Sequence, residues 1–228
     1  MTMKKTLPLV IGFLLLSASV YSHTEAVEKK ADPQNQTLCP DTILVLKKSF
    51  ASEAALHRRY LAFAEKARAE GYPNVAYLFV GLACSEQIHA RNFKRVLSAL
   101  GVAVKEPPAS EIDTSDTREN LKTACTLELM DIDYIYPNCI ERAKKEGNAD
   151  AIRDFNFAWE PEKQHRDLIE KIQSGTGIFF GVLTKKIGEK PVEYFVCQTC
   201  GSTVIELPKR QCPVCKDPPS AYSKIAKK

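Results

Sequence analysis

Four stretches of the chain repeat apolar residues at steps of three and four, the spacing of one buried helix face. The first row is Leu46, Phe50, Glu53, His57, Tyr60, Ala64 and Ala67, and the second is Val75, Phe79, Leu82, Glu86, His89, Phe93 and Val96. The third is Leu121, Cys125, Glu128, Ile132, Ile135 and Cys139, and the fourth is Ala151, Phe155, Ala158, Glu162, His165, Ile169 and Ile172. The spacing predicts four long helices. The first opens at Pro40-Asp41-Thr42 and ends at Gly71-Tyr72-Pro73, with Gly past its end and Pro opening the second. The second stops at Gly101. The third starts near Ser115 or Asp116 and ends at Gly147, and Pro137 inside it should kink it. The fourth runs from about Asn148 to Ser174.

The two halves of this region repeat. Glu-Lys-Ala-Arg-Ala-Glu-Gly at 65–71 matches Glu-Arg-Ala-Lys-Lys-Glu-Gly at 141–147. Gly71 precedes Glu86 by 15 residues, and Gly147 precedes Glu162 by 15. The upstream carboxylate slips by one, with Glu53 18 residues before its Gly and Glu128 19 before its own. A duplicated helical hairpin, joined across residues 101–117 with their Pro107-Pro108, makes a four-helix bundle with one long crossover. Residues 175–191, with Gly175, Gly177, Gly181 and Gly188, form a linker. From Val192 to Lys228 the pattern turns to short strands, Glu193 to Val196 and Thr203 to Glu206.

The start of the chain adds a compartment. Lys4-Lys5, an apolar run from Leu7 to Val20 and small residues up to Ser22 make residues 1–22 a secretory signal peptide. The run is shorter than the ~20 residues that span a bilayer. The expectation is an exported, periplasmic protein with no membrane insertion after cleavage. Residues 23–40 are polar and read as a flexible leader. Composition is that of a globular protein, 44% apolar and 26% charged. A net charge of +4 gives no reason to expect a nucleic-acid partner.

The chemistry lies in the helix rows. Glu86-x-x-His89 and Glu162-x-x-His165 each put a carboxylate and an imidazole on one inward face. Glu53, Glu128 and Asp131 stand on the facing rows. Unpaired charges in a core are costly, and metal ions stabilise them. One Glu from each of two helices plus Glu-x-x-His from the other two is the ligand pattern of ferritin-like di-iron or di-manganese bundles. The fold class expected is therefore an all-α ferritin-like four-helix bundle over residues 41–174 with a small C-terminal β domain. His57 is read as a packed neighbour of the site. Tyr60 and Tyr136 are the candidates to hydrogen-bond ligand carboxylates. In the tail, Cys197-x-x-Cys200 and Cys212-x-x-Cys215 form two knuckles suited to a tetrathiolate site for iron or zinc, with two disulfides as the competing reading. Cys39, Cys84, Cys125 and Cys139 are expected to be buried thiols, with Cys125 facing the core, although export permits a disulfide.

These motifs together resemble the rubrerythrin family. The resemblance runs through Glu53 to Tyr60, Glu86-Gln-Ile-His89, Glu128-x-x-Asp131 with Tyr136-Pro137, Glu162-Lys-Gln-His165 and the four tail cysteines. It implies two iron ions in the bundle, held by Glu53, Glu86, His89, Glu128, Asp131, Glu162 and His165. It implies a rubredoxin-like centre of one iron (or zinc) on Cys197, Cys200, Cys212 and Cys215. It also implies reduction of hydrogen peroxide to water, an unidentified electron donor, and a homodimer in which one subunit's tail approaches the other's bundle. Ferroxidase or iron handling, and a non-enzymatic metal-binding module with a zinc-ribbon tail, are the competing readings. Three features depart from the family. Asp131 stands where Glu is usual, so it is expected to bind through water or in one redox state only. Pro161 inside the fourth helix should disturb the ladder beside Glu162. A secretory signal is atypical.

Overall fold

The computed structural model describes residues 39–108, 112–174 and 192–226. The signal peptide, most of the leader and the linker lie outside these residues. The bundle contains α1 (Pro40–Ala69), α2 (Pro73–Ala99), α3 (Thr117–Met130), a π-helical turn (Asp131–Ile135), α4 (Tyr136–Lys145) and α5 (Ala149–Ser174). The tail carries β1 (Phe195–Cys197), β2 (Thr203–Val204) and β3 (Tyr222–Lys224), an antiparallel sheet of order β2-β1-β3. β3 follows the second knuckle and has no apolar run to announce it. Among the described residues no helix is long and apolar enough to cross a membrane.

The repeated Glu-Gly pairs tie the two hairpins together. An α-helix leaves its first N–H groups without intrahelical partners. At the start of α1 the side chain of Cys39 makes no cap. Glu146, from the end of the other hairpin, accepts from the N–H groups of Asp41 and Thr42 at 3.0 and 2.7 Å. Glu70 does the same for α3, accepting from Thr117 N at 2.8 Å and its hydroxyl at 2.6 Å. Each glutamate precedes a glycine of positive φ, Gly71 at 80° and Gly147 at 68°, which turns the chain into the next helix. The duplication in sequence is thus a reciprocal cap in space.

The third predicted helix is not a single kinked helix. Tyr60 follows Glu53 by seven residues, about two α-turns, whereas Tyr136 follows Glu128 by eight. The π turn takes up that one extra residue, as such turns do. It brings Glu128 and Tyr136 onto the same inner face despite the slip. Within it Tyr136 N donates to Asp131 O, a π-type bond. The next such bond would come from residue 137, and Pro137 has no N–H. The indole Nε1 of Trp159 on α5 donates to the freed Ile132 carbonyl at 2.9 Å instead. Pro137 then lies in the first turn of α4, where proline is tolerated. Pro161 is buried inside α5 without ending it.

Within the bundle, apolar side chains pack in two clusters. One holds Tyr60, Phe63, Phe79 and Leu82, and the other Leu46, Phe50, Phe93, Tyr136 and Phe155. The polar residues at 53, 86, 89, 162 and 165 fall between them along the helices. The tail rests on α2 and α5 of its own chain. Tyr77 Oη donates to Ile225 O at 2.7 Å and Asn92 Nδ2 to Thr199 O at 2.8 Å, and the Arg91 guanidinium reaches Gln198 O.

Replacing Trp159 with Phe removes the indole donor to the Ile132 carbonyl while keeping an aromatic ring. The expected cost is about 1–3 kcal/mol, the penalty for a buried acceptor left unpaired, read by urea denaturation. A variant as stable as wild type would show that the π turn does not need this bond.

Candidate metal centres

Two groups of four side chains converge in the bundle. Glu53, Glu86, His89 and Glu162 form one, and Glu86, Glu128, Glu162 and His165 the other, with each group's ligand atoms within 4.8 Å of one another. Glu86 and Glu162 belong to both, so each carboxylate offers one oxygen to either side. The seam spacing explains the convergence: Glu86 and His89 share one face of α2, as Glu162 and His165 do on α5. All six are buried.

The Nδ1 atom of each imidazole faces these oxygens. His89 Nδ1 lies 3.0 Å from Glu86 Oε2, 3.1 Å from Glu162 Oε1 and 3.8 Å from Glu53 Oε2. His165 Nδ1 lies 2.8 Å from Glu162 Oε2, 3.3 Å from Glu86 Oε1 and 3.6 Å from Glu128 Oε2. Ligands at ~2.1 Å from a common ion, at right angles, sit ~3 Å apart. Seven buried atoms of these groups have no hydrogen-bond partner: Glu53 Oε2, both oxygens of Glu86 and of Glu162, and Nδ1 of both histidines. Buried polar atoms are rarely left so. Their pattern fits two cations bridged by Glu86 and Glu162, and the oxygen-rich donor set with imidazoles suits iron or manganese.

Around this centre two tyrosines are tied crosswise. Tyr60 on α1 donates to Glu128 Oε1 at 2.5 Å, and Tyr136 on α4 donates to Glu53 Oε1. Burial and then the neighbouring carboxylates push both phenols well above their ordinary range, so they stay protonated donors. Asp131 is buried but belongs to neither group of four. The structure therefore supplies four carboxylates to the two groups where the sequence suggested five. His57 is half-buried and points away, its Nδ1 2.7 Å from Ala83 O. The eight cysteines are all free thiols. Cys39 and Cys139 are buried, while Cys84 and Cys125 are only half-buried, so Cys125 does not enter the core fully.

In the tail, Cys197, Cys200, Cys212 and Cys215 form one cluster. Cys197 and Cys215 Sγ are 3.6 Å apart, as are Cys200 and Cys212. A disulfide would need ~2.05 Å, whereas four sulfurs ~2.3 Å from a tetrahedral ion lie ~3.8 Å apart. Burial pushes the Cys215 thiol up to about 12, so ionising all four together calls for a cation. The tail faces the bundle through its first knuckle. Gly201, at φ 80°, passes so close to His89 that a Cβ there would overlap the imidazole. Ser85 Oγ donates to Gly201 O at 2.7 Å, and Gln164 Oε1 accepts from Ser202 Oγ and Thr203 N at 3.0 and 2.9 Å. The sequence marks Gly201 as the turn glycine of the first knuckle but gives Ser85, Gln164 and Thr203 no role.

Electrostatics in the bundle set a pH dependence. Burial, reinforced by Glu162 and Glu86, pushes Glu53 up to about 7 despite His89. Burial, then Glu53 and Glu162, pushes Asp131 up to about 9. Against burial, the surrounding carboxylates raise both imidazoles. Against burial, the two imidazoles hold Glu162 low. Folded, metal-free protein therefore keeps protons on Glu53 and Asp131 that the unfolded chain releases above 4.5 and 3.8. More protons bound when folded means stability that falls as pH rises. Glu162 works the other way, but its effect is complete above 4.5. Metal-free protein should lose stability steadily from about pH 5 to about pH 9 in thermal unfolding, and the metal-loaded protein should lose less. Equal slopes for the two forms would contradict this electrostatic picture. The bridging geometry makes a second prediction: Glu86→Ala should cost both metal ions and Glu53→Ala one, by metal analysis of folded protein. Loss of the same number from both variants would reject the bridging role of Glu86.

The family model described as Rubrerythrin matches residues 45–173. Rubrerythrin-2 of Clostridium acetobutylicum is 30% identical over 170 residues, covering 75% of this chain and 89% of that protein. The solved structure of the fully reduced, all-ferrous state of nigerythrin superposes with a TM-score of 0.70 at 24% identity, covering 81% of this chain and 86% of that one. Desulfovibrio desulfuricans bacterioferritin, whose structure describes a di-iron site, shares the bundle with a TM-score of 0.62 at 21% identity, over 69% of this chain and 92% of that one. With a family match over more than half its length, a ferritin-like bundle holding the paired Glu/His clusters of a di-iron site and a tail holding a four-cysteine metal site, the chain belongs to the rubrerythrin family.

Proposed function

We propose that this chain is an exported peroxidase that reduces hydrogen peroxide to two waters, using two electrons and two protons per turnover. The observation that carries the reading is the seat of the tail. Its first cysteine knuckle lies against the histidines of the bundle site, with Gly201 between Cys200 and His89. A thiolate metal centre placed there is positioned to return electrons one at a time. Iron, when bound in the bundle, supplies the two-electron chemistry.

The chain's own residues do the rest. Glu86 and Glu162, which belong to both ligand groups, would hold the two ions together with Glu53, His89, Glu128 and His165. The aromatic side chains Tyr60, Phe79, Phe93 and Tyr136 close the site above and below and exclude bulk water. Tyr60 and Tyr136 keep a proton at Oη, hydrogen-bonded to Glu128 and Glu53, within the site where oxygen atoms must be protonated. Asp131, buried beside these groups, is a further carboxyl able to exchange a proton there.

Cys197→Ala separates relay from catalysis. With an external donor, steady peroxide turnover should fall to near background. One round of peroxide-dependent oxidation of pre-reduced protein should survive, because its electrons are already stored in the bundle. Loss of that single round, with the bundle folded and metal-loaded, would overturn the division of labour. Zinc in place of iron in the natural tail centre would favour iron handling without a relay. Protein from the periplasmic fraction of its host should begin near residue 23 by mass spectrometry, and an intact Met1 would reject export.

A further inference from the structure

The outer nitrogens of both site histidines meet hydroxyl groups, and both hydroxyls are committed to one carbonyl. Ser85 Oγ donates its hydrogen to Gly201 O at 2.7 Å and lies 3.4 Å from His89 Nε2. Thr203 Oγ1 donates to the same carbonyl at 3.0 Å and lies 3.3 Å from His165 Nε2. A hydroxyl has one hydrogen and spare lone pairs. With the hydrogen given to Gly201 O over the shorter distance, each oxygen can only accept from the imidazole. In the neutral form that binds metal, His89 and His165 then carry hydrogen on Nε2 and offer the Nδ1 lone pair as the ligand atom.

We infer that Thr203 and Ser85, both anchored on the Gly201 carbonyl of the tail, are positioning residues for the two histidine ligands, so that the docked tail is a structural part of the bundle's metal site. Ser85 belongs to the bundle, but its orientation is set from the tail. Thr203 belongs to the tail and reaches the bundle directly. One backbone carbonyl, next to Cys200, thus fixes the tautomer and ring angle of ligands on two different helices. Groups that hold the far nitrogen of a ligating histidine raise its basicity, and losing one typically costs 10–100-fold in metal affinity. This inference rests on the di-metal site and is independent of peroxide reduction.

Thr203→Val deletes the acceptor at nearly constant volume. Docking should survive it, because Ser85, Asn92 and Gln164 still bond the tail. The test uses full-length protein with zinc in the four-cysteine site, which keeps the tail folded and removes any electron relay. Manganese(II) binding to the bundle is then titrated by electron paramagnetic resonance, and the Gly201 amide signal reports docking. The expected result is at least ~10-fold weaker binding of one manganese ion in Thr203→Val, with the Gly201 signal unmoved. Thr203→Ser, which keeps the hydroxyl, should restore wild-type affinity. Ser85→Ala should weaken the other ion. Wild-type affinity in Thr203→Val would overturn the inference. So would equal weakening in Thr203→Val and Thr203→Ser, or weakening only when the Gly201 signal shows that the tail has left.

Discussion

Four carboxylates and two imidazoles are held in a dry core, and the rest of the molecule is arranged so that they can stay there. Ionised groups removed from water are strongly disfavoured unless paired or bound to cations. The bundle offers cations seven buried atoms that nothing in the protein satisfies. It brackets the site with aromatic and aliphatic packing on both sides. The remaining carboxylate oxygens are not left to chance: Tyr60 and Tyr136 each take one. Metal affinity and fold stability are therefore coupled at the same atoms.

The architecture reaches this state by using one hairpin twice. Each copy supplies a single carboxylate on its first helix, a Glu-x-x-His pair on its second, and a tyrosine that crosses to the other copy's glutamate. The Glu-Gly corners cap the other copy's leading helix in the same reciprocal way. The symmetry is broken at one place, the π turn at Asp131–Ile135, where one additional residue enters. That turn begins at Asp131 and frees a carbonyl that Trp159 takes up. An irregularity within a helix is thereby converted into a local difference between the two halves of an otherwise repeated site.

The tail completes the centre from outside. Its knuckle glycine leaves no room for a side chain against His89, and its carbonyl gathers hydroxyls from two chain segments. The proposed electron relay and the inferred positioning of the histidines share one small contact. Distance matters for the first and hydrogen-bond direction for the second, and both are set by where Gly201 sits.

Much of this was legible from residue order. Period-3.6 rows, Gly stops and the repeat at 65–71 and 141–147 specify a bundle, because burial of one helix face requires that spacing. Two Glu-x-x-His pairs in register, with upstream glutamates, specify a dinuclear site for the same reason. Even the one-residue slip between Glu53 and Glu128 was visible, but not its form, since a kink at Pro137 and a π turn before it account for the same count. Which of the seven inward polar residues share an ion could not be read, because i,i+3 spacing puts Glu128 and Asp131 on one face without saying how far each reaches. His57 shows the same limit: it lies on the seam in sequence, yet it turns to a backbone carbonyl on α2. The contacts of Ser85, Gln164, Gly201 and Thr203 belong to tertiary structure alone. The bonds from Ser85 and Gln164 to the tail and from Thr203 to His165 join residues 38 or more positions apart across two domains, and no local periodicity records where one folded surface will meet another.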